Sequence, residues 1–503
     1  MKRFNLTSII LSSIVLFTIF SSCSDSFLDV QPEGKPLESA FYKNQSQAFA
    51  GLVSVYDLLR KNSGGFENMI TMMNAGSDDH FAGGGGATDG VGIQSFSNYT
   101  QNGNTIPRSF WSDYFQGIYR ANVLLQKLPA VPMDNSVKER FEAETKALRA
   151  FYYFNLVIMF KNVPLILEPL TPANMYEQKQ ANTADVYKQI ENDLLAAIPK
   201  LPVSVSASEK GRLTKVAGQA MLGKVYLYQG KNSLAAAQLA EVNGTPGQAN
   251  QYGNKLLTDF NDLWVVANKF NTESILEACH TSVGSSHWGI WGSSADEGNT
   301  VNVMVGPRGY VKSGANAPAL PSGWSFNVFT QDFYDFMKDD PRFAATVLDM
   351  KALKAAGEVN YTEGYQDTGY FLNKFTPRQS DVSTGTGDAV LNYRQNTYII
   401  RLADTYLMEA EALGASGARA QALLDAVRAR VGLPSVPVSM TAIKNERRKE
   451  LAGEGFRFFD LVRWGEASSK LANRGFKAGK NEIFPIPFKE LENTQIVQNP
   501  GYN

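Results

Sequence analysis

The chain has little cysteine, little histidine and almost no net charge. Only 2 of its 503 residues are Cys and 3 are His, and 48 Lys and Arg residues stand against 49 Asp and Glu. Two cysteines cannot build a disulfide framework for a chain of this length, so a hydrophobic core must hold the fold. Three imidazoles leave little material for histidine chemistry. A formal charge of −1 gives no electrostatic footprint for nucleic acid, and we expect no nucleic-acid partner.

Long apolar runs are also lacking beyond the first residues. Residues 9–20 are apolar but too few to span a bilayer well; two basic residues precede them, and small residues lead on to Cys23. This pattern predicts a lipoprotein signal peptide over residues 1–22 and a diacylglycerol on the Cys23 thiol, which would hold the mature protein on a membrane. Residues 23–36 are polar and contain Pro and Gly, so we expect a lipidated tether there. The alternative is an ordinary cleaved signal with an incidental cysteine.

Helical periodicity dominates the rest of the chain. Hydrophobic residues make up 44% and charged residues 19%, which is ordinary globular composition. Trp111, Phe115 and Ile118 recur at spacings of four and three, and a second stripe runs through residues 147–158. Residues 214–242 match the spacing of large and small residues in a tetratricopeptide repeat. A true repeat and a generic helical hairpin both satisfy this pattern, and both predict a mostly α scaffold of hairpin pairs.

Three stretches between the helical blocks have another character. Residues 63–107, 282–323 and 376–387 are rich in Gly, Asn, Ser and Thr, and the first contains an uninterrupted glycine run at 83–86. Loops of this length are uncommon in compact domains unless they are functional or disordered. They hold aromatic residues, which disordered linkers usually lack. We therefore predict ordered binding loops that rest on the helices.

The C-terminal part carries the most specific motifs. The sequences NERRKEL at 445–451, EGFRFFDLVRWG at 454–465, FPIP at 484–487 and QNPGY at 498–502 follow one another. Together with CSDSFLD at 23–29, they resemble the signature of the SusD/RagB family of Bacteroidetes outer-membrane lipoproteins. The resemblance spans essentially the whole mature chain.

This resemblance implies a fold, a partner and a location. The fold is mostly α and SusD-like, with four tetratricopeptide-like helical hairpins and long irregular loops that carry the ligand surface. One domain would cover residues 37–503, with an N-terminal part at about 37–270 and a C-terminal RagB/SusD part at about 271–503. Such proteins capture oligosaccharides, and in some cases peptides, as hinged lids over SusC-type TonB-dependent transporters. We therefore expect a lipid-anchored, surface-exposed glycan-binding protein of the outer membrane.

The sequence contains no evident catalytic set. It has no serine-hydrolase elbow and no HExxH zinc motif. Asp78 and Asp79 are adjacent, whereas the paired carboxylates of a glycosidase normally come from separated positions. Glu277 and His280 share one face of a predicted helix, a placement that suits a solvated helix end better than a metal site. We therefore predict no enzyme, no metal and no cofactor.

The charged residues of the C-terminal motif are expected to be structural. Basic and acidic side chains alternate closely between Arg447 and Arg463, so they can form ion pairs across a helix and the turn that follows it. The same interleaved carboxylates argue against nucleic-acid binding by this segment.

The resemblance implies a ligand surface made by the N-terminal loops together with those that follow Cys279 and those around Arg378. A sugar has apolar C–H faces and a rim of hydroxyls, so its binder needs flat aromatic side chains surrounded by charged and amide groups. We predict that the ligand is bound by Asp78, Asp79, Tyr99, Trp288, Trp291, Trp324 and Arg378. The Trp residues would stack on sugar, and Asp78 and Arg378 would bond hydroxyls; any one Trp can instead belong to the core. A peptide-binding lid of the same fold and an anchored glycoside hydrolase remain alternatives.

Overall fold

The computed structural model describes residues 41–293 and 295–502. The predicted signal peptide, the tether and the lipidation site at Cys23 lie outside these residues, so they stay predictions. The predicted limits of a single domain over residues 37–503 also stay a prediction.

Most of the regular structure is α-helical, as predicted. The α-helices are α1 (Gln45–Tyr56), α2 (Met69–Ala75), α3 (Val91–Asn98), α4 (Ser109–Lys127), α5 (Asn135–Phe160), α6 (Thr183–Ala197), α7 (Lys215–Tyr228), α8 (Asn232–Asn243), α9 (Thr300–Val305), α10 (Gln331–Met337), α11 (Phe343–Thr346), α12 (Met350–Ala355), α13 (Leu402–Ala412), α14 (Gly417–Arg430), α15 (Met440–Glu450), α16 (Arg457–Arg463) and α17 (Ala467–Lys470). Short 3-10 turns cover Asp57–Asn62, Leu128–Ala130, Ile198–Lys200, Ala207–Glu209, Phe260–Trp264, Gln379–Asp381, Ala389–Leu391, Ala472–Arg474 and Phe488–Glu490.

The strands are short. They are β1 (Ser274–Ala278), β2 (Val311–Lys312), β3 (Val347–Asp349), β4 (Val359–Asn360), β5 (Tyr370–Leu372) and β6 (Thr397–Arg401). β1 pairs with β6, β2 with β4 and β3 with β5, all antiparallel. Because each described sheet has two strands, the sheets brace loops against the helices and do not form a layer of their own.

Eight helices pack in a row in which each contacts the next, in the order α1, α4, α5, α6, α7, α8, α13 and α14. The stripe predicted in α4 faces the core, where Trp111 is 3% and Ile118 is 1% exposed. Gly223 of α7 lies so close to α8 that a Cβ there would stand 2.6 Å from Leu239 Cγ. A small residue is therefore required at Gly223, as the repeat spacing predicted. Eight helices in a row fit the four hairpins implied by the resemblance.

Residues 63–107 are more regular than predicted. They contain α2 and α3, and every residue of α2 is buried. Asn68 caps α2, because its Oδ1 accepts a hydrogen bond from the amide of Thr71 at 3.0 Å. The many Gly and Asn residues of this stretch end and cap short helices, which a composition-based interpretation takes for one long loop.

Residues 274–278 form a strand, and the helix predicted around Glu277 and His280 was wrong. Glu277 Oε2 accepts a hydrogen bond from the Asn396 amide group at 2.7 Å, and His280 Nε2 lies 2.7 Å from Ser63 Oγ. A spacing of three residues suits one helix face, but the pairing of β1 with β6 decides the local structure here. Both side chains are buried and serve the fold.

A buried charge cluster joins the C-terminal motif to the rest of the molecule. Arg401 is fully buried and donates to Glu273 Oε1 at 2.9 Å, to Glu450 Oε1 at 2.6 Å and to Glu454 Oε2 at 2.9 Å. Within the motif, Arg447 Nε donates to Asp460 Oδ2 at 3.0 Å, so the predicted ion pairing there is confirmed. Arg401 at the end of β6 and Glu273, which directly precedes β1, extend it to distant positions. Removing one member of such a buried set leaves an uncompensated charge, so the set fixes one arrangement of the elements.

Candidate functional site

Trp288, Trp291 and Trp324 lie together, and we name them the Trp cluster. The ring centroids of Trp288 and Trp324 are 6.1 Å apart, and their planes are inclined by 25°. Trp291 stands edge-on to both, at 5.3 Å and 84° from Trp288 and at 5.6 Å and 77° from Trp324. These separations lie within the range of favourable aromatic pairs. The structure therefore brings together three predicted site residues from two loop segments.

The end of α9 positions Trp324. The amide of Trp324 donates to the carbonyl oxygen of Val303 at 2.9 Å. Next to this bond the two backbones nearly touch, because a Cβ on Gly323 would lie 2.5 Å from Gly306 Cα. Glycine at these two positions lets the Trp324 segment lie directly on α9, and the indole is carried by an ordered backbone.

A turn after His287 presents the other two indoles. The amide of Trp291 donates to the carbonyl oxygen of His287 at 3.1 Å, and the amide of Trp288 donates to Asp388 Oδ2 at 3.0 Å. The indole Nε1 of Trp291 donates to Thr300 Oγ1 at 3.2 Å. This loop is therefore held by hydrogen bonds to α9 and to the segment around Asp388.

Phe66 lies against the Trp cluster and forms its floor. Its ring centroid is 6.1 Å from that of Trp291, 6.5 Å from that of Trp324 and 5.2 Å from that of Phe326. The glycine run packs on the same floor: Gly84 has φ +89°, and a Cβ there would lie 2.5 Å from the Phe326 ring. The N-terminal loops and the C-terminal part thus build this surface jointly.

The Trp cluster is open to solvent. Trp288 is 53% exposed, and Trp291 and Trp324 are partly exposed. Grouped exposed aromatics are unusual on a protein that has no ligand or partner for them. Indole rings offer flat apolar faces and N–H donors but no group that exchanges a proton near pH 7. The arrangement can hold a ligand with apolar faces, and the indoles supply no acid or base.

Asp78 and Asp79 lie in ion pairs with the C-terminal motif. Arg457 donates through Nε and Nη2 to the two carboxylate oxygens of Asp78, at 2.8 Å each. Arg448 Nε donates to Asp79 Oδ1 at 2.7 Å, and Asp79 is only 1% exposed. Both carboxylates serve as internal anchors for α15 and α16. Their predicted contact with ligand stays a prediction, and this geometry does not favour it.

The two carboxylates respond differently to their surroundings. Burial opposes the ionisation of Asp78, but the hydrogen bonds and charge of Arg457, with the charge of Arg448, outweigh it and lower the pKa of Asp78. Burial raises the pKa of Asp79, and the neighbouring charge of Asp78 adds to this effect against the attraction of Arg448. The pKa values of the two carboxyls are thus shifted in opposite directions, as in the acid and base of a hydrolase. Both oxygens of Asp78 and Oδ1 of Asp79 are nevertheless bonded to arginines, and Asp79 Oδ2 is buried.

Tyr99 and Arg378 contact other parts of the structure. Tyr99 is 7% exposed, and its hydroxyl donates to the carbonyl oxygen of Gly76. Arg378 donates to the carbonyl oxygen of Thr376 at 3.0 Å and to Asn373 Oδ1 at 2.9 Å. Among the described residues, no hydrogen bond or ring contact joins either side chain to the Trp cluster. Their predicted role in binding also stays a prediction.

Two charged residues beside Trp324 were missed by the sequence analysis. Arg308 Nη2 donates to the carbonyl oxygen of Trp324 at 3.1 Å and to Asp89 Oδ2 at 3.2 Å. Asp89 and Arg308 are 219 positions apart and belong to no motif. The glycine run just before Asp89 was the one local signal, since such a run permits close approach of backbone.

Two of the three imidazoles are buried. Burial lowers the pKa of His80 to about 3 and that of His280 to about 4, so both rings are neutral at pH 7. The described residues contain no group of three His, Cys, Asp or Glu side chains able to hold a metal ion. In the same part of the chain, no helix combines the length and hydropathy that a bilayer crossing requires.

Comparisons with known proteins agree with this geometry. The sequence profile of the SusD family matches residues 324–502, and a profile described as "Starch-binding associating with outer membrane" matches residues 26–227. A solved structure described as "Laminarin binding SusD-like protein" is 66% identical, has a TM-score of 0.91, and is aligned over 92% of this chain and 100% of its own.

More distant relatives match over similar lengths. Surface glycan-binding protein A from Bacteroides fluxus is 28% identical, with a TM-score of 0.79 over 91% of this chain and 100% of that protein. A SusD-like protein of Bacteroides ovatus is 26% identical over 526 residues, which cover 96% of this chain and 89% of the relative. The resemblance drawn from the C-terminal motifs and the mostly α SusD-like fold are both confirmed.

Proposed function

The chain belongs to the SusD family, and on this premise we propose that it captures a laminarin-type oligosaccharide and delivers it to a SusC-type TonB-dependent transporter. In this proposal it is a lipoprotein of the outer membrane, anchored through Cys23 and exposed at the cell surface. It binds its ligand and does not cleave it.

The observation that carries the proposal is the exposed Trp cluster. Stacking on aromatic side chains has been measured for nucleic-acid bases at about 1–3 kcal/mol per contact, and a sugar face offers a comparable flat surface of C–H groups. Trp288 and Trp324 are inclined by 25° with centroids 6.1 Å apart, so a chain of sugar units can meet more than one ring. The hydrogen bonds around both loops hold the rings before ligand arrives, which reduces the entropy cost of binding.

The ligand class rests on one relative. The protein described as laminarin-binding is 66% identical to this chain, and the two align over 92% of this chain and 100% of that protein with a TM-score of 0.91. Identity at this level favours a shared ligand class. We therefore choose laminarihexaose as the first probe, with maltohexaose as a glucan of different linkage.

The geometry also favours binding without turnover. A glycosidase needs two carboxyl groups placed on either side of the glycosidic bond. Asp78 is held by two hydrogen bonds from Arg457 at 2.8 Å, and Asp79 is 1% exposed, so neither carboxylate is presented to a sugar on the surface. The indoles of the Trp cluster supply neither acid nor base.

Calorimetric titration of the mature protein tests the binding proposal. We expect saturable binding of laminarihexaose, weaker binding of maltohexaose and none of an unrelated hexapeptide. After overnight incubation, the hexasaccharide should elute unchanged in size. Binding of the peptide alone would favour the alternative of a peptide-binding lid, and shortened products would favour an anchored hydrolase.

The anchor and the transporter need separate tests. Cys23→Ala should move the protein from the outer-membrane fraction to a soluble or unprocessed form, whereas wild-type protein free in the periplasm would contradict the anchor. Purification of tagged protein in mild detergent should recover a TonB-dependent barrel in stoichiometric amount. Recovery of the free monomer at several detergent strengths would count against the partnership.

A further inference from the structure

We propose that Asp89 and Arg308 bind two neighbouring hydroxyls of the saccharide that lies on the Trp cluster; this inference rests on the proposed function. We name these two residues the rim pair. Arg308 Nη2 donates to Asp89 Oδ2 at 3.2 Å and to the carbonyl oxygen of Trp324 at 3.1 Å. The guanidinium is therefore fixed directly to the residue that carries one of the three indoles.

A second contact holds the rim pair near the Trp cluster. Gly90 follows Asp89, has φ +66°, and would place a Cβ 2.4 Å from Phe66 Cζ. Phe66 contacts Trp291 and Trp324, so the residue that follows Asp89 packs on the ring that forms the floor of the Trp cluster. Asp89 is thus held in place by the packing of the neighbouring Gly90 on Phe66 as well as by the hydrogen bond from Arg308.

The rim pair has unused hydrogen-bonding capacity. Asp89 Oδ2 accepts from the Gly85 amide at 2.7 Å and from Arg308, while Asp89 Oδ1 and Arg308 Nη1 bond to no other described residue. Arg308 Nε is buried and has no hydrogen-bond partner. The side chains are 38% exposed for Asp89 and 36% exposed for Arg308. Asp89 Oδ1 and Arg308 Nη1 therefore remain available on two side chains that are bonded to each other.

The chemistry of the pair matches a neutral saccharide. A hydroxyl both donates and accepts, so of two neighbouring hydroxyls one can donate to the carboxylate while the other accepts from the guanidinium. The two formal charges cancel, so the pair requires no charge on the ligand. Hydrogen bonds to charged groups are stronger than neutral ones and directional, which makes this pair suited to select between arrangements of hydroxyls that stacking alone tolerates.

Stability does not explain the pair. An exposed ion pair contributes little to folding, with a median near zero to about 1 kcal/mol. The glycine run nevertheless keeps space for it, because a Cβ on Gly85 would lie 3.1 Å from Asp89 Oδ2 and 3.2 Å from Arg308 Cζ. A Cβ on the next residue, Gly86, would meet nothing within 4 Å.

Titration of laminarihexaose into single variants tests the inference. Asp89→Asn and Arg308→Gln should each weaken binding by roughly ten- to a hundredfold, the range expected for one charge-assisted hydrogen bond, with the thermal melt near that of wild type. The matched control is Glu363→Gln, which removes an exposed pair with Lys354 at 2.7 Å elsewhere on the surface. This control should bind as wild type does.

The two glycines give a second test that leaves the charged residues in place. Gly85→Ala should weaken binding, because its methyl group displaces the rim pair by a few tenths of an ångström. Gly86→Ala should bind normally. Neither glycine has a left-handed φ, so alanine adds no backbone strain at either position.

The outcomes separate this inference from the proposed function. If Trp288→Ala loses affinity while Asp89→Asn and Arg308→Gln stay within about twofold of wild type, the rim pair is not part of the site and the proposed function stands. Equal affinities of Gly85→Ala and Gly86→Ala together with normal binding by both charge variants would also overturn the inference. If wild-type protein fails to bind laminarihexaose, the proposed function fails and the role of the rim pair fails with it.

Discussion

The Asp78–Asp79 pair and the Trp cluster differ in their exposure to solvent: the carboxylates lie in ion pairs inside the protein, and the indoles lie at an open surface. Asp79 is 1% exposed and the pair is closed by Arg448 and Arg457, whereas Trp288 is 53% exposed. The carboxylates accept hydrogen bonds from arginine side chains of the protein. The indole of Trp288 leaves about half of its surface open to solvent.

The difference shows how burial separates structural from binding residues. A charge inside a protein must be paired, so an arginine-rich motif elsewhere in the chain is the natural partner of a buried carboxylate. A large aromatic left in solvent loses the burial energy that a core position would provide, about 1.5–3 kcal/mol for a large apolar side chain. Trp288, at 53% exposed, and its contacts with the partly exposed Trp291 and Trp324 are the observations on which the proposed binding surface rests.

Asp79→Ala should give the largest loss of stability. It leaves the mostly buried side chain of Arg448, which is 10% exposed, without its 2.7 Å partner, and breaking a buried ion pair from one side costs about 3–5 kcal/mol. We expect a value near the lower end, because Arg448 also contacts Asp332 at 2.9 Å. Chemical denaturation measures this change. A loss below about 1 kcal/mol would mean that the pair behaves as a surface pair and that burial does not distinguish Asp79 from the exposed Trp cluster.

Gly84→Ala should have an intermediate effect on stability and should also reach the Trp cluster. Its φ of +89° is unfavourable for alanine, and the new Cβ would lie 2.5 Å from the Phe326 ring. Strain of this kind costs about 1–3 kcal/mol. A shift of the Phe326 ring should displace Phe66, which contacts the Trp cluster, and should thereby weaken glycan binding. Gly86→Ala, with no atom within 4 Å of its Cβ, is the matched control for both readouts.

Asp78→Asn should change the acid dependence of stability. The pKa of Asp78 is lowered in the folded protein, so its contribution is complete above the unfolded value of about 4 and is lost as the pH falls through the folded value. The variant should therefore lose less stability than wild type between about pH 5 and pH 3. Urea midpoints across this range measure the slope. Parallel curves for the two proteins would show that the Asp78–Arg457 bonds contribute nothing to the acid response.

Much of the fold was predictable because its signals are local. The stripe at Trp111 and Ile118, the close packing at Gly223 and the ordered C-terminal motif follow from periodicity, side-chain size and alternating charge. The helices within residues 63–107 and the strand at 274–278 were missed, because capping and strand pairing depend on neighbours that composition does not reveal. Tertiary context decides such short elements.

The sequence predicted which types of residue form the candidate site, but it did not predict which individual residues belong to it. The exposed state of Trp288 cannot be read from the sequence, since an indole suits a core equally well. Asp78 and Arg457 are 379 positions apart, and Asp89 and Arg308 are 219 apart. No local pattern joins partners at such separations. Only the fold determines that Asp78 pairs with an arginine inside the protein, whereas Asp89 lies beside the exposed Trp cluster.

The most direct test of the central claim is the affinity of Trp288→Ala for laminarihexaose, measured beside its thermal melt. Loss of one stacking contact should weaken binding by roughly ten- to a hundredfold, while the melt stays near wild type because the ring is half exposed. The matched control is Tyr176→Ala, which removes an aromatic side chain that is 54% exposed, against 53% for Trp288. It should leave both measurements unchanged. Wild-type affinity in Trp288→Ala, or an equal loss in Tyr176→Ala, would contradict binding on the Trp cluster.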